Sequence, residues 1–244
     1  RGRVYSRDEL RAFTIMANLV AVKITQTRLA ESEKEKRRLT SELQAARDII
    51  DRILPAEPAA PPGWDLCVRL QPCSEVGGDF YDVRHLPDGR WALILGDVAG
   101  KGLGAALLAS SVVAMLDVLL DEPGDLHAVM ARLSRRVWHS AGPTRYATLF
   151  LGLLDPVQGR LVYVNAGHVP PLLVRAEGAL EAVKSTGPPA GLLDGAAYQT
   201  GELQLAPGDS LAAFSDGVTE AWNAEEDDYG DERLRALLAR ARGR

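Results

Sequence analysis

The first 54 residues of the chain contain no proline, and their only glycine is Gly2. Proline and glycine are the residues that most disfavour a helix interior, so a stretch without them can continue as a single helix. Ser6 and Glu9 have the spacing of a capping box, in which each side chain satisfies the backbone N–H of the other residue. We therefore predict one helix from Ser6 to Leu54, with about 47 residues and a length of about 70 Å.

Apolar residues recur along the second half of this helix with the alternating three- and four-residue spacing of a coiled coil. Extended towards the N-terminus, the same register reaches Thr25, Ser32 and Lys36, so the apolar seam is weaker there. A single helix standing off a domain cannot bury such a seam. We predict a parallel homodimer through it, and a helix folded back on its own domain is the alternative. The well-formed part of the seam consists of Leu39, Leu43, Ala46, Ile50 and Ile53.

A proline-rich segment at residues 55–63 follows the helix and ends it. We interpret it as a stiff hinge between a helical linker, residues 1–54, and a domain over residues 64–244. The linker contains 12 Lys and Arg against 8 Asp and Glu, a charge of +4, which leaves −9 for the remainder of a chain whose total is −5. The acidic domain fits bound cations, although a solvated acidic surface explains the same charge. Nothing in this balance indicates nucleic-acid binding.

Within the domain, short apolar strands alternate with turns, and two helices occur one after the other. Adjacent helices followed by successive hairpins indicate an α+β fold, in which antiparallel sheets are covered by helices. The predicted strands are 65–71, 91–95, 147–154, 160–165, 172–175, 199–205 and 210–215, and the predicted helices are 103–120 and 126–140.

Three segments place an aspartate beside glycines where the chain turns. Asp97 closes the apolar strand Trp91–Gly96, Asp216 follows the strand at Ser210–Ser215, and Asp79 follows two glycines. Like charges raise each other's pKa, so three converging aspartates would be costly unless cations lay between them. Their hard oxygen atoms, with no His or Cys among them, favour Mg²⁺ or Mn²⁺. For any one aspartate the alternative is a simple turn former that hydrogen-bonds its own backbone.

Together, the segments Glu75–Asp82, Gly96–Gly102 and Ser215–Glu220 resemble the metal-dependent PPM-type serine/threonine phosphatases, the protein phosphatase 2C family. The resemblance is closest to the bacterial SpoIIE/RsbU branch and runs from near Pro55 to the end of the chain. It implies a four-layer α-β-β-α sandwich that hydrolyses phosphoserine or phosphothreonine. Further matching stretches are Tyr146–Phe150, Asn165–Leu172 and Gly187–Leu192.

The resemblance also implies roles for individual residues and partners. Two Mn²⁺ or Mg²⁺ ions would be bridged by Asp97, with the carbonyl of Val98 as a further ligand to one of them. Asp216 would bind the other ion, and Asp79 would act directly or through bound water. An activated water would attack the phosphate, so no Ser, Cys or His nucleophile is required. The implied substrate is a phosphorylated anti-sigma-factor antagonist of the STAS type, and we expect a cytoplasmic protein.

Three further residues carry weaker predictions, each with a structural alternative. His168 is a candidate substrate contact and proton donor, or a structural residue of its turn. Lys101 is a candidate phosphate contact, or an exposed lysine. Glu75 could support the metal ligands, or simply be a satisfied polar residue. Asp82 lies three residues from Asp79, on the opposite face of a strand, and is left out of the site.

One departure from the family pattern affects the metal prediction. The family normally has another Asp-Asp segment on a last buried strand, and no such segment occurs before Arg244. Asp227 and Asp228 lie in a predicted loop before a helix that begins near Asp231, so we do not propose them as substitutes. We expect a domain truncated at its C-terminus that binds metal weakly. The alternative function is a catalytically inactive coiled-coil scaffold that binds its regulator without turnover.

The start of the helix, at residues 1–30, resembles the last helix of a GAF sensor domain, which implies an upstream sensor domain that signals through the helix. A fragment of a sensor that binds a small molecule is a third possible function. We find no uninterrupted run of about 18 apolar residues, and so expect no membrane segment in this chain.

Overall fold

The computed structural model describes residues 5–53, 58–71, 77–122, 124–142 and 144–240, without the side chains of residues 46 and 50–53. The chain divides into two compact units, Arg1–Ala46 and Arg47–Arg244. Several predicted residues lie outside the described ones: Leu54 at the end of the helix, residues 55–57 of the hinge, Glu75, and the side chains of Ala46, Ile50 and Ile53. Pro58–Gly63 contains neither helix nor strand.

Helix α1 spans Arg7–Ile53, within a residue of its predicted limits. The capping box forms as predicted, because the backbone N–H of Ser6 donates to Glu9 Oε2 at 2.8 Å and that of Glu9 donates to Ser6 Oγ at 3.2 Å. Large apolar side chains remain exposed along the helix, among them Leu19 at 64%, Leu29 at 60% and Leu39 at 49% of their possible surface.

The second unit contains two antiparallel sheets. The strands of the larger sheet are β1 Phe80–His85, β2 Trp91–Val98, β3 Ala147–Asp155, β4 Arg160–Ala166 and β7 Gly201–Gln204. Those of the smaller are β5 Leu172–Val174, β6 Leu180–Ala182 and β8 Ser210–Ala212. The larger sheet has the order β1-β2-β3-β4-β7, and the smaller has the order β6-β5-β8. The helices are α2 Leu103–Asp121, α3 Leu126–Ala141, α4 Asp216–Thr219 and α5 Asp231–Arg240.

Three apolar clusters separate four layers of secondary structure. The first joins α2 and α3 to one face of the larger sheet, through residues such as Leu116, Met130 and Leu149. The second fills the space between the two sheets, and the third packs Leu234 of α5 against Leu172 of the smaller sheet. A fully buried leucine stabilises a fold by roughly 2 kcal/mol, so these clusters hold the layers together. The predicted α-β-β-α sandwich is confirmed.

Helix α2 is, among the described residues, the one helix that is long and apolar enough to cross a membrane by length and composition alone. Its sequence contains no uninterrupted apolar run of that length, because Asp117 lies within it. Half of this helix is buried in the domain, where Ala106, Val112 and Leu116 are completely enclosed. Its packing against both α3 and the larger sheet accounts for its apolar composition.

The predicted strand at 65–71 is wrong. Its side chains alternate between half-buried and exposed positions, as the apolar and polar pattern indicated, but the segment pairs with no strand of either sheet. Leu70 packs against the first cluster and Trp64 against the second. The apolar contacts of this segment therefore explain its alternation without a ladder of backbone hydrogen bonds.

Candidate metal centre

Asp79 and Asp97 lie opposite each other because of the register between β1 and β2. Phe80 is the partner of Gly96 in this antiparallel pair, and the backbone N–H of Val98 donates to the carbonyl of Gly78 at 3.2 Å. The pairing thus continues past the start of β1, and Asp79 falls directly across from Asp97. Opposed residues of antiparallel strands have their side chains on the same face, with Cβ atoms about 5 Å apart. The hairpin alone brings two of the predicted ligands together.

Asp216 approaches these residues from the other sheet. The predicted strand 210–215 is too long, since β8 ends at Ala212 and Asp216 is the first residue of the short helix α4. Ser215, at the N-cap of α4, donates a hydrogen bond from Oγ to Asp79 Oδ2 at 3.1 Å. This bond joins segments that are 136 residues apart. The sequence analysis missed this contact, for which the hydroxyl of Ser215 next to Asp216 was the one signal in the sequence.

The surroundings of Asp79 and Asp97 change the ionisation of both carboxylates. Burial raises the pKa of Asp97, and together with the negative charges of Asp79 and Asp216 it brings that pKa to about 7. Burial also raises the pKa of Asp79, a shift that the Ser215 hydrogen bond opposes and the charge of Asp216 reinforces. These shifts show that the carboxylates are neighbours in a partly dehydrated place, where positive charge would be stabilised.

The donor atoms fit a hard divalent cation. All three side chains supply carboxylate oxygen, which Mg²⁺ and Mn²⁺ prefer. In the part of the chain that the structure describes, no three His, Cys, Asp or Glu side chains are already arranged around one metal position. The aspartates are therefore gathered in one place but are not set in a finished coordination geometry.

Gly78 leaves the space that this cluster occupies. A Cβ atom at this position would lie 2.6 Å from the carbonyl oxygen of Val98 and 2.8 Å from Asp97 Oδ1. Contacts this short do not occur with real side chains, so only glycine allows the chain before Asp79 to approach the end of β2 so closely. Val98, the predicted carbonyl ligand, thus lies beside Asp79 and Asp97 in the same corner of the sheet.

His168 is buried, with 3% of its surface exposed. Its Nδ1 atom lies 2.9 Å from Thr148 Oγ1, and its backbone N–H donates to Asn165 Oδ1 at 2.8 Å. Burial lowers the pKa of His168 to about 4, although the charge of Asp216 and the carbonyl of Phe214 act in the opposite direction. A buried and neutral ring favours the structural alternative over the predicted role as a substrate contact.

Other acidic and basic residues lie outside the cluster. Lys101 is exposed in the turn between β2 and α2, and Asp227 and Asp228 are exposed in the loop before α5. Asp82 is buried and forms an ion pair with Arg84.

Arg145 was not predicted as a site residue, but its guanidinium group packs closely against the first turn of α2. A Cβ atom added to Gly104 would lie 2.7 Å from its Nη1 atom. The glycine at 104 is the sequence signal of this contact. Together with Lys101, Arg145 places a second positive charge beside the turn that follows Asp97.

Comparison with known proteins identifies relatives of the domain. The sequence profile of the family described as Stage II sporulation protein E (SpoIIE) matches residues 87–244. The protein IcfG of Synechocystis sp. is 31% identical over 224 residues, which cover 81% of this chain and 35% of that protein. The phosphoserine phosphatase RsbP of Bacillus subtilis is 28% identical over 184 residues, which cover 73% of this chain and 45% of that protein. The chain thus spans less than half the length of these curated relatives.

A solved structure supports the fold independently of sequence identity. The SiaA-PP2C domain of Pseudomonas aeruginosa superposes with a TM-score of 0.69 at 22% identity, covering 84% of this chain and 82% of that domain. The two molecules share one architecture.

Proposed function

The chain belongs to the SpoIIE family of PP2C-type phosphatases, and we propose that it is the catalytic part of a metal-dependent, cytoplasmic protein serine/threonine phosphatase. The observation that carries this proposal is the meeting of Asp79, Asp97 and Asp216 from three separate segments. Burial and mutual repulsion raise the pKa of Asp97 to about 7. Such carboxylates destabilise the fold unless they serve a positively charged ligand, which makes a structural role a poor explanation for all three.

The proposed roles of the chain's residues follow from their places in the cluster. Asp97, which interacts with both of the other aspartates, would be shared between two ions, with the carbonyl of Val98 as an additional ligand. Asp216 would bind the other ion, and Asp79 would act directly or through bound water. Ser215 would hold Asp79 in place through its hydrogen bond. When bound, two Mn²⁺ or Mg²⁺ ions would supply hydroxide from water near neutral pH and neutralise charge on the phosphate.

We propose a phosphorylated regulatory protein, specifically an anti-sigma-factor antagonist of the STAS type, as the substrate. The relative RsbP is named a phosphoserine phosphatase, which supports a phosphoserine substrate. Lys101, in the turn after Asp97, and Arg145, beside the first turn of α2, would contact the phosphoprotein. The complete protein should release phosphate from a phosphorylated antagonist with Mn²⁺ or Mg²⁺ and lose this activity with a chelator. Equal rates with and without the chelator would refute a metal-dependent phosphatase.

A catalytically inactive scaffold is the second candidate, and one observation favours it. The described residues contain no metal site with three side chains already in place. A scaffold would bind the phosphorylated regulator without releasing phosphate from it or from a small phosphate ester. Binding assays and phosphate release, measured on the same preparation, separate the two candidates.

We propose a parallel homodimer through α1, controlled by an upstream sensor domain. Leu39 is about half exposed in the single chain, which leaves an apolar seam without a covering surface on this helix. Rotation or separation of the paired helices would reach the catalytic domain through the end of α1. The weaker register at Thr25, Ser32 and Lys36 permits two packings of similar energy, which is what a switch requires.

Changing Leu39 and Leu43 together to glutamate should therefore dissociate the dimer. Burial of two leucines stabilises each chain by roughly 3 kcal/mol or more, so the dissociation constant should rise by at least about 100-fold. Light scattering at tens of micromolar concentration measures the oligomeric state. Ser41→Glu, on another face of the same helix, is the matched control. An unchanged protein that is monomeric under these conditions would refute the dimer.

A further inference from the structure

The turn that follows β4 directs His168 into the domain. Asn165 Oδ1 accepts a hydrogen bond from the backbone N–H of His168, which closes the turn over residues 165–168. Gly167 has a φ of +67°, and a Cβ atom there would lie 2.6 Å from the ring of Pro189. Both the backbone conformation and the lack of space require glycine at this position. The turn therefore has one shape, and that shape buries the His168 ring.

The buried ring connects to the strand that carries Asp97. Nδ1 of His168 lies 2.9 Å from Thr148 Oγ1, and the Thr148 hydroxyl donates to the carbonyl oxygen of Asp97 at 3.4 Å. Thr148 is also the register partner of Asp97 between β2 and β3. With the Thr148 hydroxyl proton directed at Asp97, the matching His168 tautomer carries its proton on Nδ1 and donates it to Thr148 Oγ1. A chain of two hydrogen bonds thus runs from His168 to the backbone of Asp97.

The same ring lies close to the segment that carries Asp216. The charge of Asp216 and the carbonyl of Phe214 both act on it. The Nε2 atom is buried and has no hydrogen-bond partner among the described residues. His168 therefore stands between the two parts of the chain that bring Asp97 and Asp216 together. A ring that is neutral near pH 7 and closed off from solvent has no direct route to a substrate proton.

We propose that His168, acting through Thr148, is a positioning residue that fixes the end of β2 relative to Asp216 and so sets the affinity of the carboxylate cluster for its divalent cation. This inference rests on the proposed function for the metal-binding role of the aspartates. Residues that orient ligands from behind typically change metal affinity by 10- to 100-fold when they are replaced.

The test compares variants that break the chain at different points in the complete protein. His168→Leu and Thr148→Val should each weaken Mn²⁺ binding, measured by calorimetry, by about 10-fold or more. His168→Asn should restore most of the affinity, because its amide can donate to Thr148 from nearly the position of Nδ1. The double variant His168→Leu with Thr148→Val should be no weaker than the weaker single variant, since both break one chain. His127→Leu, at an exposed histidine, is the control.

Several results would overturn the proposal. Unchanged Mn²⁺ affinity in Thr148→Val would do so, and this variant alone decides the question if His168→Leu does not fold. An Asn variant as weak as the Leu variant would also count against it, as would nitrogen NMR that places the ring proton on Nε2. Because calorimetry does not require turnover, a protein that binds Mn²⁺ as described but releases no phosphate would refute the proposed function and leave this inference standing.

Discussion

Asp97→Asn should reduce the metal-dependent phosphatase activity of the complete protein by at least about 100-fold, since it removes the charge at the centre of the cluster. Asparagine has nearly the same size and retains one oxygen atom, so the shape of the site is preserved. The variant loses only the negative charge of Asp97, which lies beside both Asp79 and Asp216. Phosphate release at saturating Mn²⁺ measures the effect, with Asp194→Asn at an exposed position as the control.

The same variant should make the metal-free domain more stable at alkaline pH. The pKa of Asp97 is raised in the folded state to about 7 from an ordinary value of 3.8. Folding therefore favours the protonated form, and the folded state loses stability as the pH rises from about 4 to about 7. Asparagine carries no charge and avoids that loss. After discounting for partial exposure, we expect a gain on the order of 1 kcal/mol in the free energy of unfolding at pH 8 with a chelator. A less stable variant would contradict the repulsion argument.

Gly78→Ala should be nearly as harmful to activity although it adds only a methyl group. The new Cβ atom would meet the carbonyl oxygen of Val98 and Oδ1 of Asp97 at distances of 2.6 and 2.8 Å. One neighbour is backbone, so the clash must be relieved by moving Asp79 and Asp97 apart. We expect about a 100-fold loss of phosphatase activity, as a displacement of about 1 Å at a catalytic site can cause.

The control for this variant is Gly124→Ala, where no atom lies within 4 Å of the added carbon. It should retain full activity. Calorimetric titration with Mn²⁺ separates a damaged metal site from a general loss of folding, since a damaged site weakens binding while the unfolding transition persists. Full activity in Gly78→Ala would show that the aspartates do not depend on this close approach.

The sequence was informative where the signal was local. The apolar run Trp91–Gly96 predicted β2 and placed Asp97 at its end, and the capping residues Ser6 and Glu9 predicted the start of α1. The strand predicted at residues 65–71 was wrong because alternating apolar and polar residues indicate which side chains face the core. The pattern does not indicate whether the backbone pairs with another strand.

Longer-range features could not be predicted from the pattern. The bond between Ser215 and Asp79 depends on how the two sheets stack, which no local pattern encodes. The burial of His168 likewise depends on the packing around its turn, so the sequence left its two roles open. The convergence of Asp216 with Asp79 and Asp97 came from family resemblance, because distance along the chain carries no information about it.

The pairing of Asp79 with Asp97 at one rung of a hairpin makes the site tolerant of some changes in length and intolerant of others. The tip of the hairpin, residues 86–90, lies beyond the last strand pair and away from Asp79. Residues inserted there lengthen the loop without altering which residues face each other. A single deletion within β1 shifts each pair between the deleted residue and Asp79 by one position, which turns Asp79 to the opposite face of the sheet. The length of the loop at residues 86–90 can therefore change during evolution, whereas the number of residues between Asp79 and the loop must stay the same.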